Sequence, residues 1–203
     1  CLAVSKQLTD SIIGISCYSH NLIYEKLNSV IYGHQSIKSA IDIACYDLAS
    51  KSKKLPLYNY LGGKINKKIY TDYTVSLNDV DKMVEQAEQI VKKGFKIIKV
   101  KLGDSGKKDI ERIKHIRKCI GDDKQIRIDA NQGWNIEEAI DTLKNIDKYN
   151  IEYCEEPINR DLSFRLNEVK ESSPIKIMAD ESLFTSYDAE MMVHGNHCDM
   201  FNL

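Results

Sequence analysis

Two lysines two residues apart inside an apolar run are the first groups here that could do chemistry. Lys99 and Lys101 lie in Lys96-Ile97-Ile98-Lys99-Val100-Lys101, between Gly94 and Gly103. The run reads as a buried β-strand, so both ammonium groups must leave it on one face. Like charges placed side by side on such a face either line a site or guard the edge of a sheet. Carboxylates decide between the two. Three later segments end in acid: Arg127-Ile128-Asp129-Ala130-Asn131, Cys154-Glu155-Glu156-Pro157 and Met178-Ala179-Asp180-Glu181-Ser182. Asp129, Glu155 and Asp180 are 26 and 25 residues apart, one strand-helix unit each. Acids gathered that closely repel unless a cation sits between them, and an all-oxygen set suits Mg2+ or Mn2+, not zinc. Any one of them alone reads as a helix cap or a loop residue. Three in phase, beside two lysines on one face, read as a site.

The elements that must position these groups follow from the hydrophobic periodicity. Strand-like runs occur at 69–76, 96–102, 125–130, 151–155, 175–180 and 199–203. Helical stripes lie between them: Val80, Met83, Val84, Ala87, Ile90 and Val91; then Ile110, Ile113, Ile116 and Ile120; then Ala139, Ile140, Leu143 and Ile146; then Leu162, Leu166 and Val169; then Ala189, Met192 and Val193. Asn135 with Glu138, and Thr185 with Asp188, predict capping boxes. Strand and helix alternating at about 25-residue spacing is the signature of βαβ units and a parallel sheet. A doubly wound sheet would show a Gly-rich phosphate loop, and Gly103-Asp104-Ser105-Gly106 lacks the third glycine of that motif. The prediction is therefore an α/β protein: a (β/α)8 TIM-type barrel carried through about six strands. Barrel enzymes keep their chemistry at the carboxyl ends of the strands, where the acids stand.

Upstream of Lys64–Lys68 the character is helical. Ile37, Ala40, Ile41, Ala44, Cys45 and Leu48 form a stripe, with Ser36 as the expected N-cap and Pro56 as the stop. Residues 1–33 read less clearly: Ile12–Ile15 as a strand or buried turn, 21–31 as a short helix. The expected organisation is one domain over 1–66 and a second over 67–203.

Composition limits the partners. The 203 residues are 42% hydrophobic and 29% charged, with a formal net charge of −1. That balance gives no electrostatic case for nucleic acid or an anionic membrane, and no apolar run approaches a membrane span. Six scattered cysteines without a CxxC pair predict reduced thiols and a cytoplasmic protein. No secretory signal is visible, although the chain opens on Cys1 and a processed or missing start is left open.

Lys99-Val100-Lys101, Ile128-Asp129-Ala130-Asn131-Gln132-Gly133-Trp134, Glu155-Glu156-Pro157 and Ala179-Asp180-Glu181-Ser182 together resemble the motif series of the enolase superfamily. The Lys-x-Lys pair is similar to that of its muconate-lactonizing-enzyme subgroup. The resemblance runs from about Gln35 to Leu203, with Ser36–Gly63 similar to the end of that family's α+β capping domain. It implies that Asp129, Glu155 and Asp180 bind Mg2+ (or Mn2+), that Lys101 is the proton-transferring base, and that Lys99 assists it by like-charge repulsion and touches the substrate carboxylate. Asn131 and Glu181 would stand behind the metal ligands. Glu156 stands where many relatives have Gln, which adds negative charge near the metal.

The implied chemistry is abstraction of a proton α to a carboxylate, the resulting enediolate being stabilised by a cation. A second lysine would work from the opposite face, at the position just after Leu203. The first strand, Thr71-Asp72-Tyr73-Thr74-Val75-Ser76, and Asp180-Glu181-Ser182-Leu183-Phe184-Thr185 most resemble dipeptide epimerases of the L-Ala-D/L-Glu type, and by that analogy Thr74 contacts substrate. The resemblance thus implies a Mg-dependent isomerase, an epimerase acting on a small-molecule carboxylate such as a dipeptide, and a homo-oligomer. Muconate cycloisomerase, o-succinylbenzoate synthase and N-acylamino acid racemase are the alternatives within the subgroup. An inactive fragment is the alternative outside it.

Overall fold

The structure is a computed structural model that describes residues 2–63 and 68–203. It divides into two compact units, residues 1–69 and 70–203. The expected boundary between 66 and 67 falls outside the described residues.

The first unit is helical: α1 (Leu2–Ile12), α2 (His20–Val30), α3 (Gln35–Ser52) and the single turn α4 (Leu57–Tyr60). Leu8, Ile23, Leu27 and Ile41 form its core. Three expectations change here. Leu2–Ile12 is a helix, and the turn that follows it takes up residues 13–15. Helix α3 starts two residues earlier than expected, its N-cap being His34 at φ 57° and not Ser36. Its buried positions are Lys38, Ile41, Ala49 and Ser50, while Ala40, Ala44 and Leu48 of the expected stripe are exposed. The reason is geometric: α3 meets α1 and α2 through Ile41, which rotates that stripe partly out of the core. Buried Lys38 is satisfied by Asn28 and by the Ile31 carbonyl, at 3.0 and 2.6 Å.

The second unit alternates strictly: β1 (Tyr73–Val75), α5 (Val80–Lys92), β2 (Ile97–Lys101), α6 (Gly106–Ile120), β3 (Gln125–Asp129), α7 (Ile136–Ile146), β4 (Ile151–Glu155), α8 (Leu166–Ser172), β5 (Lys176–Ala179), α9 (Ser186–His194) and β6 (Met200–Phe201). The six strands form one parallel sheet in sequence order, β1 to β6. Successive crossovers thus all step the same way around, as in a barrel and unlike a doubly wound sheet. The outer strands are shorter than the expected 69–76 and 199–203, because each pairs on one side only.

Alternation along the strands divides the sheet's faces. Ile98, Val100, Ile126, Ile128, Cys154, Ile177 and Ala179 are fully buried in the core shared with Met83, Ile90, Ile113, Ile116, Leu143, Ile146, Leu166 and Val169. Each such aliphatic side chain contributes roughly 1.5–3 kcal/mol by leaving water. The opposite face carries Lys99, Lys101, Arg127, Asp129 and Glu155. Helix starts follow their sequence signals. Asn135 accepts from Glu138 N, and Thr185 and Asp188 form a full capping box. The Asn135 box is only half made, since the Glu138 carboxylate reaches Gly106 N at 2.8 Å instead and ties α7 to the start of α6.

Candidate active site

Register brings the candidates together. Thr74 pairs with Lys99 and Lys99 with Arg127; one layer nearer the carboxyl ends, Lys101 pairs with Asp129 and Asp129 with Glu155. Paired residues of a parallel sheet share a face, so these side chains project to the same side in two layers. Asp180 and Asn202 are the residues immediately after β5 and β6.

Asp129 and Glu155 are almost wholly buried, at 1% and 2% exposure. The Lys99 ammonium bridges them, 2.8 Å from Asp129 Oδ2 and 2.7 Å from Glu155 Oε2. Lys101 Nζ lies 2.6 Å from the same Asp129 oxygen and 2.7 Å from Asn131 Oδ1. Asn131 in turn donates its backbone N–H to Asp129 Oδ1 and its amide to Glu181 Oε1, at 2.9 and 3.1 Å. Below this layer, Arg127 is paired with Asp72 and Glu152 at 2.9 and 2.6 Å, which neutralises the charge under Lys99.

The electrostatics record a crowded charge cluster. Burial, against the pull of Lys99, and with the Asp129 charge and the Asp180 carboxyl adding to it, pushes the Glu155 carboxyl up to about 7. Burial works the same way on Asp129, but hydrogen bonds from Lys101 and Lys99 outweigh it and hold that carboxyl below its ordinary range. Burial also opposes the charge of Lys99, and its two carboxylate partners more than compensate, raising it above the usual lysine value.

Glu156 lies under the loop that carries Asp180. It is fully buried, and its carboxylate accepts from Asp180 N and Ser182 N, at 2.7 and 3.2 Å, and from the Ser182 hydroxyl. Its negative charge is spent on clamping the loop that carries Asp180 and Glu181. Asn131, Gln132 and Glu156 all have positive φ (42°, 66° and 39°), so backbone strain collects where β3 and β4 leave the sheet. Asn202 was not singled out in the sequence, yet its amide lies 3.2 Å from Glu155 Oε1. The available signal was its phase, a polar residue at the end of the sixth strand continuing the series of acids. Thr74 shares the Lys99 layer through register.

Among the described residues, no group of three or more His, Cys, Asp and Glu side chains is arranged to hold a metal ion as it lies. The donor set still fits a hard divalent cation. Its groups are carboxylate oxygens at adjacent strand ends, two of them buried. A cation, the Lys99 ammonium, already stands between Asp129 and Glu155. Glu181 Oε2 is buried with no hydrogen-bond partner among the described residues, an acceptor oxygen left over beside Asp180. Asp129, Glu155 and Asp180 are the residues that could hold the ion.

Ammonium groups on one strand end facing oxygen donors on the next strands define a class of site, set at the carboxyl end of a parallel α/β sheet. Comparison with known proteins makes the class particular. Residues 82–203 match the family described as enolase C-terminal domain-like, and residues 2–62 match the mandelate racemase/muconate lactonizing enzyme N-terminal domain. The chain belongs to this family, in the muconate-lactonizing subgroup of the enolase superfamily. It is 49% identical to a D-Ala-D/L-Ala epimerase of Cytophaga hutchinsonii, over 98% of this chain and 54% of that protein. To an L-Ala-D/L-Glu epimerase of Clostridium acetobutylicum it is 39% identical, over 99% of this chain and 56% of the relative. A crystal structure of the dipeptide epimerase from Cytophaga hutchinsonii, complexed with Mg and the dipeptide D-Ala-L-Val, superposes with a TM-score of 0.95 at 48% identity, covering 99% of this chain and 55% of that one. The chain therefore spans about half the length of the curated relatives it matches.

Proposed function

We propose that the protein is a divalent-metal-dependent epimerase of dipeptides. The observation that carries this reading is the convergence of two lysines from one strand on Asp129, with Glu155 bridged by the deeper of them. The named relatives support the substrate class, since those at 49% and 39% identity are both described as epimerases of alanyl dipeptides.

The division of labour follows from exposure and partners. Lys101, 31% exposed against 17% for Lys99, is the lysine that reaches the open mouth. It serves as the base: its Nζ, in the neutral form, takes the proton from the α-carbon of the residue being inverted. Lys99, deeper and doubly paired, keeps its charge and offers it to the substrate carboxylate. Asn131 orients Lys101 through its side-chain oxygen and holds Glu181 with its amide. Thr74, in the Lys99 layer, lines the wall against the substrate. Asp129, Glu155 and Asp180 would hold a Mg2+, which when bound would supply positive charge to offset the negative charge that builds as the proton leaves. Inversion needs a second proton carrier on the opposite face, and the position following Leu203 is where we place it.

The test is α-proton exchange in D2O, followed by NMR on the intact protein with D-Ala-L-Ala and L-Ala-L-Glu. We expect exchange that requires Mg2+ and that Lys101→Ala reduces by at least about a thousandfold. Lactonisation of muconate without exchange in any dipeptide would refute the epimerase assignment and leave the family assignment standing.

A further inference from the structure

We infer that Asp109, which touches neither lysine nor any of the three acids, is a positioning residue that fixes the segment bearing Lys101 against the segment bearing Asp129. Asp109 lies in the first turn of α6 and is 0% exposed. Its Oδ2 accepts from Gly103 N at 2.9 Å and from Trp134 Nε1 at 3.0 Å. Its Oδ1 accepts from Arg112 Nη1 at 2.7 Å. Gly103 is two residues beyond Lys101, and Trp134 three beyond Asn131. One carboxylate therefore holds the exits of β2 and β3 together. Arg112, itself buried, extends the tie to the exit of β1 through the Asn78 carbonyl, at 3.0 Å, and to Asp104 at 3.1 Å.

Docking α6 on the sheet does not call for this group, because Ile113, Ile116 and Ile120 already do that. Burying a carboxylate and a guanidinium is costly, and an apolar pair of similar volume would hold a helix as well. What the ion pair adds is direction: Asp109 accepts one bond of fixed geometry from each of two loops, and a third, from Arg112 on its own helix, holds the carboxylate in place. The two loops otherwise meet backbone to backbone. Leu102 N donates to Asp129 O at 2.8 Å, and a Cβ on Gly133 would fall 2.2 Å from the Gly103 carbonyl oxygen. No side chain fits between them to set their spacing, so Asp109 sets it from behind. A proton transfer needs base and substrate placed to within a fraction of an ångström, and the Lys101–Asp129 distance depends on this spacing.

The activity arm of the test rests on the epimerase reading; the exchange arm does not. In Asp109→Asn the amide oxygen stays with the Arg112 guanidinium, so an NH2 group faces Gly103 N and Trp134 Nε1 and both of these donors lose their acceptor. We expect the Gly103 amide and the Trp134 indole N–H to lose hydrogen-exchange protection by NMR while the core amides of β2 and β3 keep theirs. We expect kcat per folded molecule to fall on the order of ten- to a hundredfold with KM changed less than about threefold. Trp134→Phe removes a single tie and leaves the carboxylate paired with Arg112; it should lower kcat less and leave Gly103 protected. If Asp109→Asn does not fold, Trp134→Phe decides, and wild-type kcat in that variant overturns the proposal. A lowered urea midpoint in Asp109→Asn, with protection, kcat and KM as in wild type, also overturns it. Absence of exchange activity in the wild type would refute the function proposed above and leave the protection measurements to decide this one.

Discussion

The ammonium of Lys99 stands where two buried carboxylates would otherwise face each other, and that fact sets what its removal does. Asp129 and Glu155 adjoin in register, and Glu155 already holds its charge with difficulty. Lys99→Met leaves both acids buried with only Lys101 in compensation. Breaking a buried pair by removing one partner costs about 3 kcal/mol or more. Urea unfolding in EDTA should show that loss for Lys99→Met, with a smaller one for Lys101→Met, whose ammonium is nearer solvent. Equal stability of Lys99→Met and wild type would mean that the acids do not depend on it. Lys99, Lys101, Asp129, Glu155 and Asp180 were legible because residue type and phase alone expose them. The contact that Glu156 makes with Asp180 N and Ser182 N was not legible: its positive φ turns it out of the strand's alternation, and sequence phase carries no record of such a turn.

Among the elements, helices with a full apolar stripe and a cap were readable to within a few residues, as α5, α6 and α7 show. Helix α1 escaped because Leu2–Ile12 buries only Leu8, too little to leave a period. The outer stripe of α3 misled for the opposite reason, presenting apolar residues that the core of its unit does not take in. At the exits of β2 and β3 the sequence shows Gly103 and Gly133 but not the reason for them. The structure shows why glycine is needed there: Gly103 has φ 100°, and the two backbones pass without room for a methyl group. Gly133→Ala should therefore destabilise by about 3 kcal/mol and weaken Mg2+ binding, because the displaced loop carries Asn131 and adjoins Asp129. A urea midpoint unchanged within error would show that the loops have slack.

For the whole molecule, the proposed ion would take its donors from three successive strands, so its binding would be linked to folding. Metal at a hundredfold over its Kd adds about 2.7 kcal/mol, which corresponds to a rise of roughly 5–10 °C in Tm for a chain of this size. Calorimetry with MgCl2 against NaCl of equal ionic strength measures it, and identical curves would count against a metal site. Among the described residues no helix is long and apolar enough to cross a membrane. The strand order also bears on how the chain is made. Because β1 to β6 lie side by side in the order of synthesis, each strand leaving the ribosome meets a neighbour already present, and contacts stay local in sequence. Lys101 precedes Asp129 by 28 residues, roughly 1–6 s of translation. The two lysines are thus laid down first, and Asp129 and Glu155, which follow, are buried against counter-ions already waiting for them.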